Sequence, residues 1–362
     1  KPDFYPQKLE ASNLTQYEES KLSNASLTLY AFHLRNSISD RVVPEASDLW
    51  EKLAEFGDIL KIEELQNIRQ KLMCYEDNQY YPKAEELQET EPLNLLQDGE
   101  SKLRFSVSTE LKGLLCPFRL YDTYGIDFTV SSKETVTLKR LKSLNPEYLL
   151  LPSRVEASLG QTLCFWGELL EDEGDYRGLA DACVAQLIPE SEHSFIDLIA
   201  EGNFLGNRIF EYESRHKSQG KRLHILVCFE REIIALKEID KLFGIMFYVF
   251  WLRHKILYVY EQSRLCAKDA KLLSAQIEEF GLNKNFPDFL ELQNMEFQYA
   301  EYIRHLGDYQ TTIGVNEENY RVQREKIVAF PESDFDFLDN FLSLVRDKFK
   351  KQIEVDLRYL EP

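Results

Sequence analysis

The sequence predicts an α+β (or α/β) N-terminal domain followed by a long helical, coiled-coil-like C-terminal half. Three observations carry this. Short β-rich segments with partial apolar alternation recur up to about residue 232 and then stop. Beyond that point apolar residues fall at alternating steps of three and four, the spacing of a helix-packing seam. Gly (15) and Pro (12) are sparse in 362 residues, so long loops should be few. The expected domains are 1–232 and 233–362, the second built from helices at about 236–281, 287–328 and 333–360.

In the first domain the expected strands are 26–35, 102–109, 114–121, 126–132, 135–141, 161–169, 207–214 and 222–230. Residues 44–56 carry helix signals: Pro44, then Ser47 as a cap, then helical apolar spacing. Residues 175–188 give a second helix. Residues 75–100 are acidic and weakly patterned, as in an excursion or flexible loop.

The helical half opens on Leu242–Leu252, eleven nearly unbroken apolar residues that run into Arg253. A membrane span needs roughly 20 apolar residues, so this run fails as one and the chain is expected to be soluble. It fits a heptad seam instead: Leu242, Ile245, Val249, Leu252, Ile256, Val259, Ser263, Cys266, Ala270, Leu273, Ile277 and Phe280. Extra apolar residues early in the helix (Phe243, Met246, Phe247, Phe250, Trp251) predict that this end docks on the first domain. The second segment keeps one good seam row, Leu292, Tyr299, Leu306, Ile313, Tyr320 and Ile327, with polar residues in the other. It reads as the antiparallel partner of the first. The third starts with Ser333 and Asp336 in capping spacing. Its row Phe335, Leu338, Leu342, Val345, Phe349 then shifts to Ile353, Leu357 and Leu360, a stutter. That late stripe needs a neighbour, expected to be either the first domain or the same helix in another subunit.

The formal charge of -19 argues against broad nucleic-acid binding. The six Cys are scattered with no C-x-x-C pair and read as reduced core residues, which points to the cytoplasm. No signal-peptide pattern or initial Met opens the sequence, so the true start is expected upstream.

Nucleotide, hydrolase and zinc-protease spacings are absent. Asp122 and Asp127 flank Gly125 in a strand-rich region, where two carboxylates on adjacent strands could hold a divalent cation or share acid–base work. A nuclease would continue to an acid-x-Lys triplet, but the triplet here is Thr137-Leu138-Lys139. The plainer reading is a bend closed by the two Asp, with Gly125 in the awkward backbone angle. No cofactor is otherwise implied. His216 and His224 lie near each other in sequence without metal-ligand spacing. The acidic run 168–176 lacks an EF-hand pattern and reads as a solvated loop before a helix. Arg253, Lys255 and Arg264, with His254, form the dense basic cluster of the long helix. They either receive a small anionic ligand or pair with nearby acids.

An α/β domain, two long helices as an acidic antiparallel arm and a third terminal helix resembles the cytoplasmic part of CorA-type divalent-cation channels. The resemblance covers most of the chain as architecture. The family's Gly-Met-Asn loop lies between membrane helices and has no counterpart here. Arg346, Lys348, Lys350 and Lys351 suit a juxtamembrane position, whereas Pro362 would interrupt a continuous stalk. The resemblance implies a non-enzymatic module at the cytoplasmic face of a membrane, a homo-oligomer anchored through a segment beyond Pro362. Some CorA-like proteins resemble prokaryotic defence effectors that respond to nucleotide messengers. The competing readings are a soluble coiled-coil adaptor for protein partners and a metal-dependent hydrolase around Asp122 and Asp127. The expected seam contacts are Leu242, Val249, Ile256, Val259, Leu273 and Ile277, with Phe349 and Ile353 in the terminal helix.

Overall fold

A computed structural model of the chain describes residues 6–9, 15–37, 41–86, 88, 91–97, 99–171, 174–204, 206–216, 221–230, 236–282, 289–330, 333–334 and 336–360. These form two compact units, Lys1–Trp251 with Ile327–Phe337, and Leu252–Lys326 with Leu338–Pro362. The division therefore falls inside a helix, some residues beyond the change of pattern at 232.

In the first unit β1 (Gln7–Lys8) and β2 (Lys21–Leu34) lead to helices α1 (Asp48–Leu60), α2 (Glu63–Gln66) and α3 (Ile68–Lys71). The acidic excursion holds a small hairpin, β3 (Tyr75–Glu76) and β4 (Gln79–Tyr80), then α4 (Lys83–Glu86) and β5 (Leu93–Asn94). There follow β6 (Leu103–Ser106), β7 (Leu111–Leu120), β8 (Thr123–Ser132), β9 (Val136–Thr137), α5 (Pro152–Val155) and β10 (Gly160–Leu169). Next come α6 (Tyr176–Leu187), α7 (Glu190–His193), β11 (Ile196–Phe204), β12 (Asn207–Ser214) and β13 (His224–Glu230).

The main sheet runs β1-β11-β12-β13-β10-β2-β8-β7-β5, with β6 on β7 and β9 on β2. Only the β10–β13 pair among the described strands is parallel, so the unit is α+β with a large mixed sheet. Alternation gives the sheet two buried faces. On one, Leu27, Leu29, Phe128, Phe165 and Val227 pack with Trp50 and Leu53 of α1 and Leu179 of α6. Asp175 caps α6, accepting from the Gly178 amide at 3.0 Å and from the Tyr17 hydroxyl at 2.5 Å.

The other face is covered by the start of α8 (Leu236–Leu282). Phe247 lies 5.2–6.0 Å from the rings of Tyr30, Phe32 and Phe118, and Phe250 lies 5.3 Å from Tyr30. Gly125 corrects an expectation here. It sits within β8 rather than at a turn, and a Cβ on it would lie 2.9 Å from Cζ of Phe247. Its missing side chain makes room for the helix. One apolar helix, Lys241–Phe280, is long enough to cross a membrane by composition, but 72% of its apolar window is buried inside the protein. Its hydropathy is used in packing.

One expected strand came out differently and one strand was unforeseen. Of 135–141 only β9 is extended; Leu138, Leu141 and Leu144 are buried at three-residue spacing in a 3-10 turn. β11 was not expected, because Asp197, Glu201 and Gly202 interrupt its apolar run.

The second unit takes the rest of α8, most of α9 (Phe289–Val328) and α10 (Asp336–Leu344), then a π turn (Val345–Lys350) and α11 (Lys351–Leu360). The seam residues of α8 are buried through Leu273, Ile256 and Ala270 at 0%, and Ile277 is half-buried. On α9, Leu306, Ile313, Tyr320 and Ile327 are all within 1% of full burial. Cys266, Ala267 and Ala270 of α8, Leu306 of α9 and Leu360 of α11 form one apolar cluster, with Tyr299 and Tyr302 against it. The shift at Phe349–Ile353 coincides with the π turn. A wider turn absorbs successive four-residue steps and keeps Val345, Phe349, Ile353 and Leu360 buried. Phe335 and the linker 283–288 lie outside the described residues.

Candidate functional site

The terminal stripe packs on its own chain, an arrangement different from both expected ones. Phe349 stacks on Tyr260 of α8 at 3.9 Å, and Tyr299 of α9 donates to the Leu360 carbonyl at 2.5 Å. Beside these contacts Asp356, 1% exposed, accepts from Arg264 and, at 2.8 Å, from Lys271. Burial alone would raise the Asp356 pKa, but the hydrogen bonds from Lys271 and Arg264 outweigh it and hold the carboxyl below its ordinary value.

Arg264 thus has a partner within the chain. Arg253 is 4% exposed with its guanidinium 4.7 Å from the Phe341 ring centroid. Eleven helical residues put Arg253 and Arg264 on one side of α8 about 16 Å apart, and Lys255 points roughly 160° away from Arg253. The three cations do not converge.

Asp122 and Asp127 do not pair either. Asp122 lies in the β7–β8 turn beside Tyr121 (φ 54°), and Thr123 donates to its carboxylate at 3.0 Å. Asp127 is in mid-strand opposite Tyr30 and Cys116, accepting from Thr129 at 3.1 Å. Burial lifts its carboxyl to about 6. Among the described residues no cluster of three or more His, Cys, Asp or Glu is placed to hold a metal ion.

The sheet also holds a hydroxyl–imidazole–carboxylate series. Thr162 Oγ1 lies 2.8 Å from His224 Nδ1, and His224 Nε2 lies 2.9 Å from Glu211 Oε1. The order resembles a nucleophile–base–acid relay. Thr162 is 0% exposed and His224 1%, so no substrate reaches the hydroxyl in this conformation; the series ties β10, β13 and β12 together. His216 is elsewhere, on Glu192 at 2.9 Å and stacked on Phe195.

The densest polar assembly was missed by sequence reasoning. Arg35 follows β2, Arg119 is near the end of β7, and Tyr124 opposes Arg119 in β8. These three neighbouring strands bring two guanidiniums and a phenol to one corner of the sheet. The acidic excursion covers them. Arg35 Nε donates to Glu85 Oε1 at 2.5 Å and Nη2 to Glu86 at 3.1 Å. Tyr124 donates to Glu85 Oε1 at 2.6 Å and shares a 2.8 Å hydrogen bond with Tyr80. Arg119 donates to Glu91 at 3.0 Å, to the Gln88 carbonyl at 2.8 Å and to the Glu85 carbonyl. Glu85 is fully buried, and its Oε2 has no hydrogen-bond partner. Burial raises its pKa above the ordinary carboxylate value despite the hydrogen bond from Tyr124 and the charge of Arg35. The only sequence signal was the acidity of 75–100; nothing in it names Arg35 and Arg119 as the receiving pair.

No protein-family model, curated protein or solved structure matches this chain.

Proposed function

We propose that this chain is a non-enzymatic cytoplasmic sensing and assembly module of a CorA-like membrane protein, with a ligand-gated channel or a defence effector as its setting. In this reading the α+β unit receives a ligand and the helical unit is a coiled-coil arm that assembles copies. The observation that supports it is the continuity of α8, one helix of 47 residues that supplies both the cover of the sheet and the spine of the helical unit. A change in the sheet's cover has a direct covalent route into the arm.

Exposed apolar pairs at heptad spacing favour assembly through the arm. Leu265 and Leu272 on α8 are 53% and 57% exposed, and Leu290 and Phe297 on α9 are 65% and 68% exposed. The same pairs suit the second reading, a soluble adaptor that binds other proteins. Sedimentation of the full-length protein in detergent, beside Leu265→Glu/Leu272→Glu, separates the two. The module reading expects an oligomer that the double variant breaks into monomers. A wild-type monomer at every concentration would leave the adaptor ahead.

A further inference from the structure

We propose that Arg35, Arg119 and Tyr124, with Tyr80 of the β3–β4 hairpin beside them, form a phosphate-binding site that the chain's own Glu85, Glu86 and Glu91 occupy in this structure. Arg35 and Tyr124 converge on one Glu85 oxygen, Tyr80 joins through the Tyr124 hydroxyl, and Arg119 stands beside them on Glu91 and the carbonyls of Glu85 and Gln88; two guanidiniums and a phenol at one corner suit an oxyanion with several acceptor positions. The present occupant fills it incompletely. Glu85 offers one oxygen to Arg35 and Tyr124, while its other oxygen is buried without a donor. Trp50, edge-on to Tyr124 at 5.1 Å, keeps its indole N–H buried without an acceptor. An unused acceptor and an unused donor at one buried cluster mean that a planar carboxylate does not satisfy it. A tetrahedral phosphate group offers more acceptors and up to twice the charge.

The occupant comes from α4, a single turn of four residues; releasing Glu85 to water recovers the solvation that its burial forfeits, and a phosphate group on Arg35 replaces the counter-charge that release alone would remove. A phosphate-bearing ligand would then take Glu85's place on Arg35 and Tyr124 and free α4, leaving the β3–β4 hairpin in place. This inference rests on the sensing reading for its purpose, but anion binding and oligomer assembly are measured separately, so either can fail alone.

The test is calorimetric titration of the full chain with inorganic phosphate and, separately, with AMP. Glu85→Gln keeps the shape of the occupant and removes its charge; it should bind phosphate about tenfold more tightly than wild type, the scale of one charge-assisted contact. Arg35→Gln in that background should lose the binding. Tighter binding of AMP than of phosphate marks a nucleotide site, and equal binding marks a site for the phosphate group alone. Amide exchange of wild-type residues 83–91, which needs no variant to fold, should speed up when phosphate is added. Unchanged exchange together with no phosphate binding by folded Glu85→Gln would overturn the proposal and return the cluster to a purely structural role.

Discussion

The ion pair that ties α11 to α8 gives a measurable coupling. Asp356 is 1% exposed, whereas the side chains of its partners Arg264 and Lys271 are 28% and 46% exposed. Arg264→Leu leaves the carboxylate in place with Lys271 at 2.8 Å as its remaining cation. Breaking a buried pair outright costs about 3–5 kcal/mol. With Lys271 kept, and with both cations partly in water, the expected cost is about 2 kcal/mol. Asp356→Leu removes the buried charge and leaves two cations that solvent can reach, so it should cost about 1 kcal/mol. The double variant removes charge and counter-charge together, and its cost should fall short of the sum by about 1–2 kcal/mol. Urea denaturation of all four proteins, followed by far-UV circular dichroism, measures this. The pH sense is fixed by the lowered Asp356 pKa. Its contribution is present above the unfolded value of about 3.9 and is lost as pH falls through the lower folded value. Additive single variants, within about 0.3 kcal/mol, would refute the coupling and with it the docking of α11 on α8.

Other expectations follow from single sites. Asp127 is raised to about 6 in the folded protein, so it subtracts stability as pH rises from about 4 to 6; Asp127→Asn should gain about 2 kcal/mol over wild type at pH 7.5 and nothing at pH 3.5 in paired thermal melts. His33, whose pKa burial lowers, acts in the opposite sense over an overlapping window, so the variant comparison rather than the wild-type profile is the test. Ile256, fully buried in the α8 seam, should cost about 2–5 kcal/mol as Ile256→Ala, and unchanged melting would mean the seam is not packed. Gly125→Val should cost about 1–3 kcal/mol by driving a side chain into the ring of Phe247, read by urea titration, with wild-type stability refuting close approach of α8 to β8.

What the sequence made legible was whatever repeats. The seam from Leu242 to Leu273 could be read because a helix buries every third or fourth residue, and those positions are buried. The strands β8, β10, β12 and β13 could be read because they are long and β-rich. The stutter between Phe349 and Ile353, legible as a change of spacing, falls at the π turn. What repeats over too few residues stayed hidden. In 135–141 the β-rich start with Val136 and Leu138 alternating looks like a strand, but Leu138, Leu141 and Leu144 fall at the three-residue spacing of a 3-10 turn, and the apolar run of β11 is interrupted by Asp197 and Glu201. The Arg35–Glu85 cluster was out of reach for a different reason. Its members are 50 residues apart in sequence and meet through sheet order, which no local pattern encodes. The basic cluster at Arg253, Lys255 and Arg264 misled in the opposite way: proximity in sequence is not convergence on a helix.

The two places that break local rules bear on each other. A charged carboxylate is buried at Asp356 beside a π turn, and another is buried at Glu85 with one oxygen unsatisfied. Either carboxylate would be better placed in water or replaced by an apolar residue if stability alone mattered. They differ in how they are met. Asp356 has two cations and a lowered pKa, so its arrangement holds α11 firmly. Glu85 has a raised pKa and an unused oxygen, so its arrangement is the weaker of the two. A device that responds to a ligand needs one element that yields and another that stays, because a protein loose at both would transmit nothing. On the proposed sensing reading, α4 over Arg35 and Arg119 would be the first and the α8–α11 lock the second. On that division, exchange protection at α11 should survive concentrations of phosphate that release residues 83–91. Simultaneous loss at both would show that the helical unit is not the fixed part.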